Sequence, residues 1–243
     1  MSSTRRPRQS WSIVLFCYNE EATVQEVARS SWRVLSRIAG AQKELLIVDD
    51  GSTDGSARII RRFVRATPGT RALFHPVNQG IGRTLRDGYL NARYENVCAV
   101  PADGQFDVEE LLPFARVDQD TFVSFFRKNQ VGYSPYRRLL SRTNRAMNRL
   151  VLGMELKDVN WVKVYKRSKL SKLDLRLQSS LIESEICAKL LADGARALQV
   201  PSIYHRRVGG KAKGASPRSV YRAAVETIKL AWVFWTYRLK PGR

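Results

Sequence analysis

The sequence predicts an α/β protein with a mostly parallel, doubly wound sheet, and three observations carry this prediction. In the first hundred residues, short apolar runs alternate with segments whose apolar residues recur at helical spacing. The runs are continuously apolar, as expected for strands that are covered on both faces. Polar or glycine-containing turns separate each run from the next helical segment. This alternation is typical of parallel sheets, because parallel strands need a crossover helix between them.

The first half of the chain supplies four strands in strict alternation with three helices. We predict the strands over residues 12–16, 45–48, 71–74 and 97–100. We predict the helices after the polar turn at 18–20, after the turn at 49–52, and over 80–92. Parallel strands bring their carboxyl ends to one edge of the sheet, and ligands bind there in such folds. Polar and acidic side chains follow these strands and are expected at that edge: Tyr18, Glu20, Asp49, Asp50 and Asp103.

The second half is less regular. The pattern predicts a strand over 121–126, a long basic helix over 135–152, a strand over 162–165 and a helix over 181–191. Ser216 and Pro217 are a favourable N-cap and first-turn pair, so a last helix is expected from there to about Leu239. Three parts result: a basic tail over 1–10, a large α/β domain over 11–215 and a C-terminal amphipathic helix over 216–243.

Composition limits the function classes. The 243 residues include 42 basic and 22 acidic side chains, so the net charge of +20 favours a polyanionic partner such as nucleic acid, an anionic membrane or a phosphorylated substrate. The three cysteines form no CxxC pair, which argues against a disulfide framework or zinc site and favours a reducing compartment. We expect no signal peptide, and the longest apolar run, 230–237, is too short to span a bilayer.

The segment 48–55 delivers two carboxylates to the end of a strand and then turns through glycine into a helix. A carboxylate held there can accept hydrogen bonds from a nucleobase or from ribose hydroxyls. The alternative is that Ser52 and Asp54 only cap the helix. Four further motifs accompany this one along the chain: YNEE at 18–21, NQGIGRTLRDG at 78–88, PADGQFD at 101–107 and DVNWVKVYKR at 158–167.

This ordered set resembles family 2 glycosyltransferases of the GT-A fold, in particular the branch of dolichyl-phosphate mannose synthase and other polyprenyl-phosphate glycosyltransferases. The resemblance runs from about residue 12 to about residue 210. It implies a GT-A (Rossmann-like) nucleotide-binding fold and an inverting transfer of a sugar from a nucleotide sugar to a polyprenyl phosphate. It also implies a divalent cation, Mg²⁺ or Mn²⁺, on the donor diphosphate.

The resemblance assigns roles to individual residues. Donor contacts fall on Cys17, Tyr18, Glu20, Asp49, Asp50, Asn78, Gly80 and Ala102. The metal positions fall on Asp103 and Gln105. Catalytic roles fall on Asp103, Lys163, Arg206 and Arg207. The chain departs from the family pattern at Pro101, where the metal motif usually begins with an aspartate, and it is one residue shorter at 161–162.

Other polar residues keep two interpretations open. Glu183 and Glu185 lie where an acceptor-side acid is expected, but acidic residues also favour a solvated helix start. A hydroxyl acceptor would need such a base, whereas a phosphate acceptor is already an oxyanion. For His75 and His205 we favour a structural or phosphate-adjacent role over proton transfer.

The last helix combines an aromatic stripe that includes Trp232 and Trp235 with a basic face. Such a helix suits an anionic membrane surface, or else it docks on the protein's own core. We therefore expect a cytoplasmic enzyme bound peripherally to the membrane. The rivals are a soluble or saccharide hydroxyl acceptor, a nucleotide-sugar-binding relative with weakened catalysis, and a basic nucleic-acid-binding protein. No nucleic acid partner is expected, because the chain lacks recognisable nucleic-acid-binding motifs.

Overall fold

The computed structural model describes residues 8–128, 135–207 and 217–239. Seven strands are described: β1 (Trp11–Cys17), β2 (Lys43–Asp49), β3 (Thr70–Phe74), β4 (Asn96–Pro101), β5 (Thr121–Arg127), β6 (Lys163–Lys166) and β7 (Arg196–Ser202). The α-helices are α1 (Val24–Ile38), α2 (Ser56–Ala66), α3 (Ile81–Asn91), α4 (Pro135–Leu152), α5 (Arg167–Leu170), α6 (Ile182–Ala192) and α7 (Pro217–Arg238). A 3₁₀ helix covers Val108–Phe114.

The strands form one sheet in the order β3-β2-β1-β4-β6-β5-β7. Strand β1 pairs in parallel with β2 and β4, β2 with β3, and β5 with β7, whereas β6 is antiparallel to both of its neighbours. The prediction of a mostly parallel α/β sheet is therefore confirmed. Strand β7 and the 3₁₀ helix were not predicted. Strand β7 is an edge strand with exposed positions and an internal proline, Pro201, so its sequence lacks a continuous apolar run.

Two hydrophobic cores cover the two faces of the sheet. Neighbouring residues of β1 point to opposite faces: Ile13 and Leu15 pack with α1, whereas Val14 packs with α3. Helix α3 comes close to the sheet, because a Cβ added at Gly88 would lie 2.5 Å from a methyl carbon of Val14. The face with α1, α2 and the 3₁₀ helix is called here the α1 face, and the face with α3, α6 and α7 the α7 face.

Helix α7 shows features of both interpretations that the sequence left open. Leu230, Val233, Phe234 and Tyr237 are buried on one side, where the Tyr237 hydroxyl donates a 2.8 Å hydrogen bond to Asp193 Oδ2. The other side exposes four large apolar residues: Ile228, Trp232, Trp235 and Leu239. Across the described ranges, no helix combines the length and apolar content needed to cross a membrane. The basic tail over 1–7, the basic loop over 208–214 and the Ser216 N-cap lie outside the described residues.

Candidate active site

Three adjacent parallel strands, β2, β1 and β4, carry the predicted donor residues to one edge of the sheet. The register places Cys17 beside Asp49 and Phe16 beside Pro101, so these strands end at the same level. The backbone continues this alignment past the strands, because Asp50 N donates to Cys17 O and Ala102 N donates to Phe16 O, at 2.8 and 3.1 Å. The segments that follow β1, β2 and β4 are therefore neighbours in space, as the sequence predicted.

The turn after β1 and the turn after β2 bind each other through side chains. Asn19 adopts a left-handed backbone, with φ of 56°, and its Oδ1 accepts a 2.7 Å hydrogen bond from Thr53 N. In return, Ser52 Oγ accepts a hydrogen bond from Asn19 N at 2.9 Å. Asp54 accepts from Ser56 N and so caps α2, as the capping interpretation expected, but it also accepts from Glu21 N. Capping thus accounts for only part of this motif.

Asp49 and Cys17 are buried at the base of these turns. The Ser52 hydroxyl donates to Asp49 Oδ1 at 2.5 Å and Ser52 N donates to Oδ2 at 3.3 Å. Burial still raises the pKa of Asp49 above its ordinary value, although these hydrogen bonds oppose the shift. Burial, with a smaller contribution from the Asp49 charge, also raises the pKa of the Cys17 thiol to about 12. Burial therefore favours the neutral form of the Cys17 thiol, which is a weak nucleophile.

Asp50 is the organising residue of the donor half of the site. Its Oδ1 accepts hydrogen bonds from Gln79 N at 2.9 Å and contacts His75 Nδ1 at 2.8 Å. Its Oδ2 accepts from Asn78 Nδ2 at 2.8 Å and from Gly80 N at 2.9 Å. A carboxylate offers about four lone-pair sites, so these contacts saturate it. In this structure Asp50 holds the 75–80 segment in place, and direct contact of Asp50 with the base stays a prediction.

Two glycines allow this packing. Gly51 has φ of 69°, and a Cβ there would lie 2.5 Å from the carbonyl carbon of Val77, so only glycine lets the two turns approach. A Cβ at Gly82 would lie 2.2 Å from the carbonyl oxygens of Gln178 and Ser179. The segment that leads into α3 therefore packs closely against the 49–55 turn, and the first turn of α3 packs closely against the 178–179 segment.

His75 extends the Asp50 cluster toward α3. Its Nε2 lies 3.2 Å from Asp87 Oδ2, and the same oxygen accepts a 2.8 Å hydrogen bond from Arg83 Nε. The imidazole thus bridges two carboxylates and is largely buried. This position agrees with the structural role that we favoured for His75.

The acidic residues after β1 and β4 converge on one guanidinium. Arg207 forms an ion pair with Glu20, and its Nη1 lies 3.8 Å from Asp103 Oδ2. Asp103 Oδ1 accepts a hydrogen bond from Gln105 N at 3.0 Å. Burial raises the pKa of Asp103 and lowers that of Arg207. The structure therefore brings together the predicted residues Glu20, Asp103 and Arg207. Arg206, the neighbour of Arg207 in the chain, is exposed.

An aromatic cluster supports the segment that carries Arg207. The Trp161 and Tyr204 rings are 5.5 Å apart, and the Arg127 guanidinium lies 5.0 Å from the Trp161 ring. Asp158 fixes that guanidinium with two hydrogen bonds, at 2.6 and 2.9 Å. The Gln105 amide nitrogen donates to the Tyr204 hydroxyl at 2.6 Å. The sequence reasoning did not assign Arg127, Asp158, Trp161 or Tyr204, although two of them lie within the recognised 158–167 motif.

Lys163 is buried in the interior. Its ammonium donates to the carbonyl oxygens of Val159 and Trp161 and lies 3.9 Å from Glu183 Oε2. No described contact joins it to Asp103 or Arg207, so its catalytic role stays a prediction that the geometry does not favour.

Glu183 and Glu185 are also buried, and the expectation of a solvated helix start is wrong. Glu183 accepts hydrogen bonds from the hydroxyls of Tyr89 and Tyr165 at 2.5 and 2.7 Å. Glu185 accepts from the backbone nitrogens of Arg176 and Leu177 and pairs with Lys189 at 2.5 Å. Both carboxylates therefore have structural partners, and α6 is anchored by them to the sheet and to the preceding segment.

Asp103 has few neighbours that could bind a divalent cation with it. Among the residues that the structure describes, no group of three or more His, Cys, Asp or Glu side chains could hold a metal ion. Mg²⁺ usually takes only one or two protein carboxylates and completes its shell with phosphates and water. Asp103 therefore fits a cation that is bound mainly by a diphosphate. Gln105 uses its amide nitrogen for Tyr204 and the His205 carbonyl, so its role as a metal ligand stays a prediction.

Two known proteins are similar to this chain over most of its length. A polyprenol monophosphomannose synthase of Mycolicibacterium smegmatis is 26% identical over 227 residues, which cover 87% of this chain and 83% of that protein. An undecaprenyl-phosphate 4-deoxy-4-formamido-L-arabinose transferase of Edwardsiella ictaluri is 25% identical, with 83% of this chain aligned to 62% of that protein. These relatives are named for the transfer of different sugars to polyprenyl carriers.

Solved structures confirm the fold. The glucosyl-3-phosphoglycerate synthase of Mycobacterium tuberculosis, in complex with Mn²⁺ and UDP-glucose, superposes with a TM-score of 0.66 at 20% identity, over 90% of this chain and 79% of that one. This chain therefore has the α/β GT-A fold. The sequence profile described as Glycosyl transferase family 2 matches residues 12–173, two thirds of the chain. The chain therefore belongs to glycosyl transferase family 2.

Proposed function

We propose that this enzyme transfers a sugar from a nucleotide sugar to a polyprenyl phosphate, with inversion at the anomeric carbon. A phosphate oxygen of the acceptor forms the new bond to that carbon while the bond to the nucleoside diphosphate oxygen breaks. The products are the polyprenyl-phosphate sugar and the nucleoside diphosphate. A single displacement of this kind needs no covalent enzyme intermediate, which agrees with the neutral, buried thiol of Cys17.

The observation that carries the choice of acceptor is the state of the acidic residues. A hydroxyl acceptor needs a general base, but Glu183 and Glu185 are buried and hydrogen-bonded to structural partners. Glu20 is paired with Arg207. Asp103 is the residue that we assign to the donor diphosphate. A phosphate acceptor is already ionised, so it reacts without any of these carboxylates acting as a base.

Each half of the site has a separate task in this proposal. The Asp50 cluster holds the 75–80 segment at the beginning of α3, where the backbone forms one wall of the nucleotide pocket. Arg207 places a positive charge beside Asp103, where negative charge develops as the diphosphate leaves. A divalent cation held by Asp103, Mg²⁺ or Mn²⁺, would neutralise part of that charge. Complexes of the glucosyl-3-phosphoglycerate synthase contain either metal together with UDP.

The acceptor is tested by measuring nucleoside diphosphate release with a panel of donors and acceptors. Undecaprenyl phosphate is compared with a soluble phosphorylated acid and with a simple saccharide. The proposal expects release with the lipid phosphate and recovery of a sugar-linked lipid. Turnover with the saccharide alone would contradict the proposed lipid-phosphate acceptor. A carboxylate that acts as a general base would then be required. Donor binding without turnover on any acceptor would instead support the relative with weakened catalysis.

The exposed side of α7 gives the enzyme its proposed place on the membrane. Trp232 and Trp235 retain 61% and 50% exposure, and Ile228 lies one turn before Trp232. An aromatic stripe of this kind enters the headgroup boundary, and nearby basic residues contribute about 1 kcal/mol each on an anionic surface. We therefore propose peripheral binding on the cytoplasmic side of a membrane.

Point substitutions test this membrane binding better than removal of α7, because its other side is part of the core. Trp232→Ser with Trp235→Ser is expected to lower sedimentation with anionic vesicles about tenfold or more, and added salt is expected to lower it further. Leu198→Ser with Ile203→Ser removes two other exposed apolar residues and serves as the matched control. Equal loss in both double variants would show that the effect is not specific to α7.

A further inference from the structure

A second surface, remote from the sugar-transfer chemistry, lies between α1 and α2. The two helices border a groove of about 630 Å³ on the outer surface of the α1 face. The residues that line it come from successive turns of each helix and include Arg29, Trp32 and Arg33 from α1 and Ile59, Arg62 and Phe63 from α2. None of these residues contacts Asp50, Asp103 or Arg207 in the described structure.

The groove has an apolar floor and a basic rim. Trp32, Ile59 and Phe63 are half-buried and form the floor, whereas Arg29 and Arg62 are exposed on its two sides. A second concave patch next to it adds more arginines from α2: Arg58, Arg61 and Arg65. Helix α2 contains no acidic residue at all, so its outer surface is uniformly positive.

Most of this positive charge is not balanced within the protein. Arg33 forms an exposed ion pair with Glu26. Within the described ranges, no carboxylate forms an ion pair with Arg29, Arg58, Arg62 or Arg65. Placing like charges this close together costs free energy. A ligand that carries negative charge would remove this cost, and apolar groups on the same ligand would cover the floor.

The groove and the exposed stripe of α7 lie on opposite faces of the sheet. The floor of the groove packs against the core that contains Ile13 and Leu15, whereas α7 packs against the core that contains Val14. A flat membrane that contacts Trp232 and Trp235 therefore does not reach Arg29 and Arg62. A ligand of the groove must therefore be something other than the membrane that α7 contacts.

We propose that the α1–α2 groove binds an acidic amphipathic helix of a partner protein. A helix laid in a groove places apolar side chains at i, i+4 and i+7 on the floor. Asp and Glu residues beside these anchors would pair with Arg29 on one wall and Arg62 on the other. Duplex nucleic acid is a poorer fit, because its bases are paired and its phosphate backbone leaves the Trp32 and Phe63 floor uncovered.

The chain itself does not supply the complementary segment. The four stretches outside the described residues, 1–7, 129–134, 208–216 and 240–243, contain no Asp or Glu. A second copy of this chain carries the same charge of +20 and would be repelled. Neither these four stretches nor a second copy fits the groove, so the proposal assigns the negative charge to a partner.

The test uses the full chain and a fluorescein-labelled peptide of about five helical turns. The peptide carries leucines along one side and glutamates along the borders of that side. Its control has the same composition in scrambled order. The proposal expects saturable binding of the amphipathic peptide, weaker binding of the scrambled one, and hydrogen-exchange protection confined to residues 25–36 and 58–67.

Charge reversal locates the binding surface. Arg29→Glu with Arg62→Glu is expected to weaken peptide binding at least about tenfold, and the milder pair Arg29→Gln with Arg62→Gln to weaken it less. Arg142→Glu with Arg145→Glu alters two exposed arginines of α4 and is expected to change binding less than about twofold. Sugar transfer is expected to be unchanged in the groove variants, so this test is independent of the proposed acceptor.

Several results would overturn the proposal. Equal binding to the groove variants, or equal binding of the scrambled peptide, would show only general attraction to a basic protein. Binding of a single-stranded RNA that the groove variants lose, without any binding of the peptide, would identify the partner as nucleic acid. Protection of α7 rather than of α1 and α2 would move the interaction to the other face.

Discussion

The two halves of the active site are held together in different ways. In the donor half, Asp50 makes all its side-chain contacts with residues 75–80, and Asn19 makes its contacts with the turn at 52–53. In the other half, Arg207 reaches Glu20 and Asp103, which are 187 and 104 positions away in the chain. Short motifs thus build the proposed nucleotide side, whereas the proposed catalytic side forms only after distant segments of the chain have come together.

This difference predicts which substitutions affect chemistry and which affect binding. Changes in the proposed catalytic half should lower turnover and leave the fold intact, because Asp103 and Arg207 follow the ends of β4 and β7 and belong to neither strand. Changes in the donor half should weaken nucleotide binding and stability together, because the same hydrogen bonds serve both.

The largest effect is expected for Asp103→Ala. Asp103 is the only carboxylate left in the 101–107 motif apart from Asp107, whose side chain caps the 3₁₀ helix. Loss of metal-assisted charge stabilisation is worth several kcal/mol, so we expect turnover to fall by about a thousandfold or more. Steady-state kinetics measure this, and circular dichroism checks the fold. Turnover near that of the original protein would remove Asp103 from the catalytic half.

A smaller loss is expected for Arg207→Ala. Removal of one preformed stabilising group commonly costs about a hundredfold to a thousandfold in kcat, and Arg207→Lys should recover part of it because the charge is kept. Arg206→Ala is the matched control, since Arg206 is adjacent but exposed. If the Arg206 and Arg207 variants lose turnover equally, the ion pair with Glu20 has no special role.

Asp50→Ala is expected to change binding more than chemistry. The substitution removes the acceptor of the partly buried N–H groups of Gln79 and Gly80, and the loss of each such hydrogen bond costs about 0.5–1.5 kcal/mol. Calorimetric titration with nucleotide should show at least about tenfold weaker binding, and urea unfolding should show reduced stability. Unchanged stability with lost affinity would mean that Asp50 contacts the base directly, as the family resemblance implies.

The same division explains what the sequence could predict. The strands β1, β2 and β4 and the residues at their ends were predicted, because continuous apolar runs and local turn motifs determine them. The pairing of Arg207 with Glu20, the Arg127–Asp158 pair and the burial of Glu183 depend on contacts between distant segments. Lys163 shows most clearly what a motif alone cannot predict. Its place in a recognised motif suggested a catalytic role, but in the fold its ammonium donates hydrogen bonds to the carbonyl oxygens of Val159 and Trp161.

The smallest expected effect separates stability from function at Asp103. Burial raises the pKa of this carboxyl above its ordinary value of 3.8, so the folded state binds the proton more tightly than the unfolded chain does. The stability associated with that proton is fully present below the unfolded pKa and is lost as the pH rises through the raised folded pKa.

Asp103→Asn imitates the protonated form at every pH. As the pH rises above 3.8, the original protein loses this stability and the variant does not, so the variant should become the more stable of the two, although its turnover is lost. Asp120→Asn provides a control of opposite sign, because the exposed pair with Lys169 lowers the pKa of Asp120. That variant should lose stability at pH 7 and approach the original protein as the pH falls. Urea unfolding at several pH values measures both differences. Parallel curves for Asp103→Asn and the original protein would mean that the Arg207 contact offsets the cost of burying the Asp103 charge.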